Sequence, residues 1–169
     1  MTQRLIILRG NSGSGKSTIA KELQLKLGHG TMLIPQDVIR REILRVEDKT
    51  DNPSGELISM IATYGNKIGY DVIIEGIFSN EKYRAMLLDL IEKFSGRSYV
   101  YYFDISFSET VKRHQNKANS NEFGEKAMRE WWKEKDYLGT QNEIIITDDM
   151  SKDQILKNIL ADIVDNQSS

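Results

Sequence analysis

Gly10-Asn11-Ser12-Gly13-Ser14-Gly15-Lys16-Ser17 satisfies the spacing G-x-x-x-x-G-K-[ST] at every specified position. The chemistry is that of a phosphate cradle. Glycines let the backbone curl until successive N–H groups converge on a β-phosphate, and a helix opening at Lys16 adds its partial positive charge. Lys16 is placed to bridge β- and γ-phosphates, and the Ser17 hydroxyl to bind Mg²⁺. The motif follows an apolar run and precedes a helical pattern, the context this mechanism requires. The expected phosphate-binding set is therefore Gly10 through Ser17, with Thr18 beside it.

Such a cradle holds a nucleoside triphosphate without saying where the γ-phosphate goes. Two carboxylates and one cation narrow the choice. Asp37 lies just past the second predicted strand, where open α/β sheets bind ligands. From there it could face the γ-phosphate and take the proton of an attacking hydroxyl, although Asp at this position also suits a helix cap. Arg40, three residues on, would share its helix face and clamp an acceptor. Glu75 ends the run Val72-Ile73-Ile74-Glu75-Gly76, the position of an acid that holds a metal's water shell. Base and metal holder are interchangeable between Asp37 and Glu75 at this level. The expected substrate-side residues are Asp37, Arg40 and Glu75, with Ser17 and Glu75 (through water) on the metal.

A second group of cations lies near residues 112–135, where seven Lys and Arg stand against four Glu. Arg113 and Lys117 are four apart on one predicted helix, and Arg129 lies on the next. Closing over a transferring phosphoryl group, they would stabilise its charge and exclude water. Between the helices, residues 116–125 form the longest polar stretch without periodicity, as suits a flap or an ordinary surface loop. Trp131 and Trp132 read as packing residues at the flap's base. Asp104, ending the fourth strand, reads as a cap or as part of the acceptor site.

Alternating strands and helices must position these groups. Leu5–Leu8 is a continuous apolar run, as a strand buried on both faces should be. Met32–Ile34, Val72–Ile74, Tyr99–Ile105 and Ile144–Ile146 are the other predicted strands. Helical spacing appears at Ile19, Leu23 and Leu27, and at Ile39, Ile43 and Val46. Asn52-Pro53 reads as an N-cap before Leu57, Ile61, Tyr64 and Ile68, and the clearest helix covers 81–94. Ser106-x-x-Glu109 and Ser151-x-x-Gln154 are capping boxes, the second opening a helix with Ile155, Ile159 and Ile163. This alternation implies five parallel strands covered on both faces by helices.

Composition removes competing classes. The chain has 169 residues, 39% of them hydrophobic, which suits one packed domain spanning 1–169. It has no Cys and only two His, so disulfides, thiol nucleophiles and clustered zinc ligands are excluded. Net charge is −2, too balanced for a general nucleic-acid binder. The first 45 residues nevertheless carry eight Lys and Arg against three acids, a bias that suits a small anionic ligand. No run is apolar enough for a membrane helix, and the N-terminus enters a strand rather than a signal peptide, so a cytoplasmic protein is expected. A guanine-specifying N-K-x-D is missing: Asn66-Lys67-Ile68-Gly69 ends in Gly and sits on a predicted helix.

In the order Gly10–Ser17, Asp37-Val38-Ile39-Arg40, Ile74-Glu75-Gly76 and the cationic helix at Arg113, the chain resembles small P-loop kinases. These include zeta-type toxins, polynucleotide 5′-kinase domains and chloramphenicol phosphotransferase. The resemblance covers nearly the whole chain and implies a three-layer α/β fold with sheet order 2-3-1-4-5 and a lid at about 112–135. It also implies ATP and Mg²⁺, and phosphorylation of a hydroxyl with Asp37 as base. Lys16 and Arg113 would assist catalysis, while Arg113, Lys117, Thr147 and Asp148 would contact the nucleotide, the last two near the adenine. The family's R-x-x-x-R flap pattern is broken here, because Lys117 stands at the second Arg and cannot make its bidentate contact. The chain is shorter than typical zeta toxins, so their sugar-nucleotide substrate is not carried over. The expected function is ATP-dependent phosphotransfer to a hydroxyl of a small molecule, nucleotide or nucleic-acid end. The alternative is a nucleotide-dependent switch with no phosphoryl acceptor.

Overall fold

The computed structural model describes residues 3–116 and 123–165. Five strands, β1 (Leu5–Gly10), β2 (Thr31–Pro35), β3 (Asp71–Gly76), β4 (Ser98–Phe103) and β5 (Glu143–Ile146), form one sheet in the order β2-β3-β1-β4-β5, all pairs parallel. Leu5 pairs with Val72 on one side and Ser98 on the other, so β1 lies at the centre. Its continuous apolar run follows from that place. Leu5 and Ile7 enter a core with Ile58, Leu87 and Leu90, while Ile6 and Leu8 enter a second core with Leu23, Ile155 and Ile159. Period-2 alternation feeds two hydrophobic layers, and neither face can be polar.

The helices are α1 (Lys16–Leu27), α2 (Ser54–Lys67), α3 (Asn80–Lys93), α4 (Phe107–Gln115), α5 (Glu125–Trp131) and α6 (Lys152–Asp165). The second capping box forms in full and the first by half, since Ser106 N donates to Asp148 Oδ1 rather than to the Glu109 carboxylate. Ser106 Oγ accepts from Glu109 N at 3.4 Å, and Ser151 and Gln154 exchange bonds of 2.8 and 3.2 Å. Asn52 Oδ1 accepts from Ser54 N at 3.1 Å, the capping job its sequence position predicts.

Two expectations shift. α2 buries Ile58, Ala62 and Gly65; of the expected face, Leu57 and Ile61 pack half-buried against the same core, while Tyr64 and Ile68 are 58% and 42% exposed. The reason is close approach to the sheet: a Cβ on Gly65 would lie 2.8 Å from Val72 Cγ2. The segment after β2 is a π-helical turn, Val38–Ile43, rather than an α-helix, and Leu44 N donates to Ile39 O at 3.0 Å. Only Ile39 there is buried, so no apolar stripe enforces the 3.6-residue winding. Among the described residues no helix is long and apolar enough to cross a membrane.

Candidate active site

The loop between β1 and α1 is shaped by close contacts as well as by glycine. Gly13 has φ +77°, and a Cβ there would sit 2.7 Å from Thr110 O on α4. A Cβ on Gly10 would meet Phe103 O at 2.8 Å. The curl therefore admits no side chain at either position. Lys16, 6% exposed, donates from Nζ to Asn11 O at 2.9 Å, so its ammonium is folded back over the loop. Ser14 Oγ is buried without a hydrogen-bond partner among the described residues, a rare state that signals a missing acceptor or donor. A tight backbone cradle, an orphaned hydroxyl and an inward ammonium fit a polyphosphate.

Ser17 Oγ lies 3.1 Å from both carboxylate oxygens of Glu75, which is 6% exposed at the end of β3. A hydroxyl and a buried carboxylate side by side form an oxygen donor set suited to hydrated Mg²⁺. Lys16, Ser17, Thr18, Asp37 and Glu75 line one cleft of about 390 Å³, with Lys21, Arg41, His114 and Phe123 completing it. Asp37 is 66% exposed and makes no side-chain cap bond to the turn it precedes. Its carboxylate is thus left facing the cleft rather than consumed by the backbone.

Arg40 is not among the cleft's lining residues. Its Nη2 lies 3.5 Å from Asp37 Oδ1 and its Nη1 donates to Val46 O at 3.3 Å. Its neighbour Arg41 lines the cleft instead. Arg113 reaches the loop from α4: Nη1 donates to Ser14 O and Nε to Glu109 Oε1, both at 2.9 Å. Lys117 lies outside the described residues. Arg129 points elsewhere, 67% exposed, paired with Glu125 at 3.6 Å and stacked over Phe107 at 4.0 Å.

A second cleft, about 610 Å³, opens on the other side of the loop. Ile19, Phe103 and Ile155 give it apolar walls, and Ser14, Gly15, Arg113 and Asp148 a polar rim. Such a mixture suits a flat heterocycle attached to a phosphate chain. Asp148 Oδ1 also accepts from Ser106 N at 2.8 Å, fixing the start of α4, while Thr147 is not in the lining and bonds Asp149. Asp104 neither caps a helix nor lines a cleft; it accepts from Tyr137 OH at 2.6 Å.

Two side-chain roles escaped sequence reading. Asn11 occupies an unspecified position of the motif, yet its side chain donates to Lys133 O at 2.7 Å and accepts from Lys133 N at 3.0 Å. It ties the cradle to the chain leaving α5. Arg9, fully buried, pairs with Asp136 at 3.2 Å and Glu143 at 3.1 Å, contacts no sequence neighbour could announce. The two tryptophans do pack separately: Trp132 meets Phe107 edge-on at 5.2 Å, and Trp131 tilts against Phe123 at 5.2 Å.

This architecture recurs in solved kinases. The chain superposes on the Mycobacterium tuberculosis APS kinase CysC, in complex with AMPPNP and APS, with a TM-score of 0.71 at 18% identity over 97% of this chain and 98% of that one. For a gluconokinase from Sinorhizobium meliloti 1021 the TM-score is 0.65 at 17% identity, covering 96% and 93%. For a sugar kinase from Janibacter sp. HTCC2649 it is 0.61 at 18%, covering 94% and 93%. Identities this low establish a shared P-loop kinase fold and leave the acceptor open. No curated protein sequence matches the chain. The cradle, the cleft acids and the chain as far as Tyr137 all fall within residues 5–137, which match the AAA domain family AAA_33, and the chain belongs to that family.

Proposed function

We propose that the chain is an ATP-dependent phosphotransferase acting on a hydroxyl of a small molecule, a nucleotide or a nucleic-acid end. The observation that carries this reading is a single cleft holding Lys16, Ser17 and Glu75 together with the exposed carboxylate of Asp37. A switch that transfers nothing has no work for Asp37. The D-x-x-R at Asp37–Arg40 and the Glu75-Gly76 strand end further support a place among the zeta-toxin, polynucleotide-kinase and chloramphenicol-phosphotransferase type. Residues 1–169 form one catalytic unit in this reading, cytoplasmic and supplied with ATP there, with the lid at about 112–135.

In the reaction the acceptor oxygen forms the new bond to the γ-phosphorus. The β–γ bridging bond breaks with its electron pair leaving on ADP, and the hydroxyl proton passes to Asp37. The loop N–H groups and Lys16 hold the phosphate chain in line, worth far more in a closed site than in water. Magnesium, when bound, neutralises charge on the phosphate oxygens, and Ser17 and Glu75 are the residues that would hold it. Arg113 braces the cradle through Ser14 O and adds positive charge where equatorial oxygens gather charge. The apolar second cleft takes the adenine, with Asp148 at its rim.

Transfer of γ-labelled phosphate from ATP to a panel of alcohols tests this reading. Wild-type protein labels at least one class of acceptor, and Lys16→Ala loses both nucleotide affinity and turnover. Saturable nucleotide binding with no labelled alcohol anywhere in the panel would instead establish the switch.

A further inference from the structure

We propose that the acceptor alcohol carries an aromatic ring beside its hydroxyl, and that Ile77 packs on that ring, with Phe123 as the second apolar contact. This rests on the phosphotransfer reading above and adds the chemical class of the acceptor.

β3 delivers Glu75 and Gly76 to the cleft, and the chain then turns sharply. Phe78, fully buried, has φ +43°, a backbone region that bulky side chains rarely adopt. Three contacts hold it there. Its N–H donates to Gln36 Oε1 at 3.2 Å, its carbonyl accepts from Arg9 Nη2 at 2.9 Å, and its ring meets Tyr83 edge-on at 5.5 Å. Gly76 leaves the space through which Gln36 reaches, since a Cβ there would collide with Gln36 Oε1. Backbone strain over-determined in this way concentrates at ligand sites. Beside the strained residue stands Ile77, half-buried and lining the cleft with Asp37 and Glu75. Among the described residues neither hydrophobic core includes it. An aliphatic side chain held out of both cores and against the two carboxylates serves recognition rather than packing.

The second apolar contact comes from beyond α4. Phe123 lines the same cleft, stacked on His114 at 4.4 Å, with Trp131 tilted against it at 5.2 Å. His114 is 5% exposed and bonded to Phe123 O at 2.8 Å, so both the ring and the backbone of Phe123 are held. The rest of the lining is glycine, polar or charged. Lys16, Ser17 and Glu75 serve phosphate and metal, and Asp37 serves the hydroxyl; Ile77 and Phe123 suit none of these tasks. A bare polyol would set hydroxyl groups against both apolar side chains and gain nothing from them. A ring attached beside the reacting hydroxyl covers them, and ring contact with Phe123 adds to what burial supplies. Two contacts also restrict how the ring rotates, which keeps the hydroxyl directed at Asp37.

Two measurements separate the pocket from the reaction. In the first, protein is saturated with Mg²⁺ and a non-hydrolysable ATP analogue, so that the cradle and the second cleft are filled. It is then titrated calorimetrically with styrene glycol, a diol bearing a phenyl ring, and with ethylene glycol, the same diol without it. Styrene glycol saturates a site at least about tenfold more tightly than ethylene glycol binds. Ile77→Ala weakens that site by about tenfold, the scale of an aliphatic contact in a hydrophobic pocket, and Ile77→Leu by less. Phe123→Ala weakens it too, while Leu25→Ala, exposed on α1 and outside the cleft, matches wild type. The urea midpoint of Ile77→Ala equals that of wild type, because neither core loses a side chain. Equal titrations for the two diols, an Ile77→Ala curve equal to wild type, or a midpoint lowered as by a core truncation overturns the proposal. In the second measurement the two diols are compared as phosphoryl acceptors. Styrene glycol has a KM lower by at least about tenfold, and Ile77→Ala erases the preference by raising KM more than it lowers kcat. Equal use of the two diols overturns the acceptor class and leaves the kinase reading standing. Styrene glycol bound through Ile77 with no alcohol ever phosphorylated upholds the pocket and removes the kinase reading.

Discussion

The charged groups on the two sides of β1 are used in opposite ways. Toward β2 and β3, Asp37 is 66% exposed and pairs with Arg40 at a loose 3.5 Å. Toward β4 and β5, Arg9 is fully buried and surrounded: Asp136, Glu143 and Phe78 O accept from it, and its guanidinium sits 5.1 Å from the Tyr102 ring. The acids are in turn occupied. Asp136 accepts from Asn80 N at 2.9 Å, and Glu143 from Leu138 N and Gly139 N at 2.9 and 2.8 Å. What differs between the two sides is how much hydrogen-bonding capacity is already spent. One side is architecture, and the other is where the proposed function places the ligand.

The comparison predicts that chemistry and stability separate by side. The largest effect is on the open side. Asp37→Asn removes the base and lowers transfer by about 10²–10⁴-fold, the usual contribution of general base catalysis. Because the side chain is exposed and caps nothing, stability shifts by no more than about 0.5 kcal/mol. Single-turnover kinetics, nucleotide titration and a urea melt on one preparation check all three parts. Unchanged transfer would remove Asp37 from the mechanism.

On the closed side the ordering reverses. Arg9→Ala strands Glu143, whose side chain is 4% exposed, and breaking a buried pair costs about 3–5 kcal/mol. The urea midpoint falls accordingly. The gentler Glu143→Gln keeps an acceptor but removes a charge, and destabilises in the same direction by less. A cost below about 1 kcal/mol for Arg9→Ala would mean the cluster is not the buried network described here.

Asn11 joins the two sides. Its amide makes both hydrogen bonds to Lys133, while its carbonyl holds Lys16. Asn11→Ala cuts the first link and spares the second. Stability falls by about 1–3 kcal/mol, and nucleotide affinity falls several-fold because the cradle loses its brace. If affinity holds while stability drops, the link serves folding alone.

What the sequence disclosed follows the same division. The loop between β1 and α1 is eight consecutive residues whose shape is carried by local backbone, so it was readable. That Asp37 and Glu75 would meet at one cleft was readable, because both follow strands beside the central one. The sheet's alternation was readable too, down to the double-sided burial of Leu5–Leu8. Arg9 was not, because its acidic partners lie more than 120 residues away and only the parallel pairing of β1, β4 and β5 brings them together. Asn11 was silent for a like reason: its partner is a backbone 122 residues on. The Arg40–Arg41 exchange hid in the winding of one turn, for which residue types give no signal. The face of α2 slid toward Ala62 and Gly65 because hydrophobic periodicity rewards large residues, whereas close packing on Val72 and Met32 needs small ones.

The smallest effect belongs to the closed side and disappears at high pH. Tyr137 donates to Asp104 Oδ2 at 2.6 Å; this bond, with a lesser push from burial, moves its hydroxyl from the ordinary value of 10 up to about 12. The folded state therefore keeps a proton that the unfolded state gives up between those values. By linkage, the stability this bond supplies is complete below pH 10 and drains away as pH rises through 12. Tyr137→Phe should cost about 1 kcal/mol at pH 8, and that difference from wild type should shrink toward zero by pH 12. Tyr102, raised chiefly by burial, titrates in both proteins and cancels from the difference. Urea melts at pH 8, 10 and 11.5 measure the trend. A difference constant across that range would disconnect Tyr137 from Asp104, and a fall in kcat at pH 8 would move this hydroxyl from the architectural side of β1 to the reactive one.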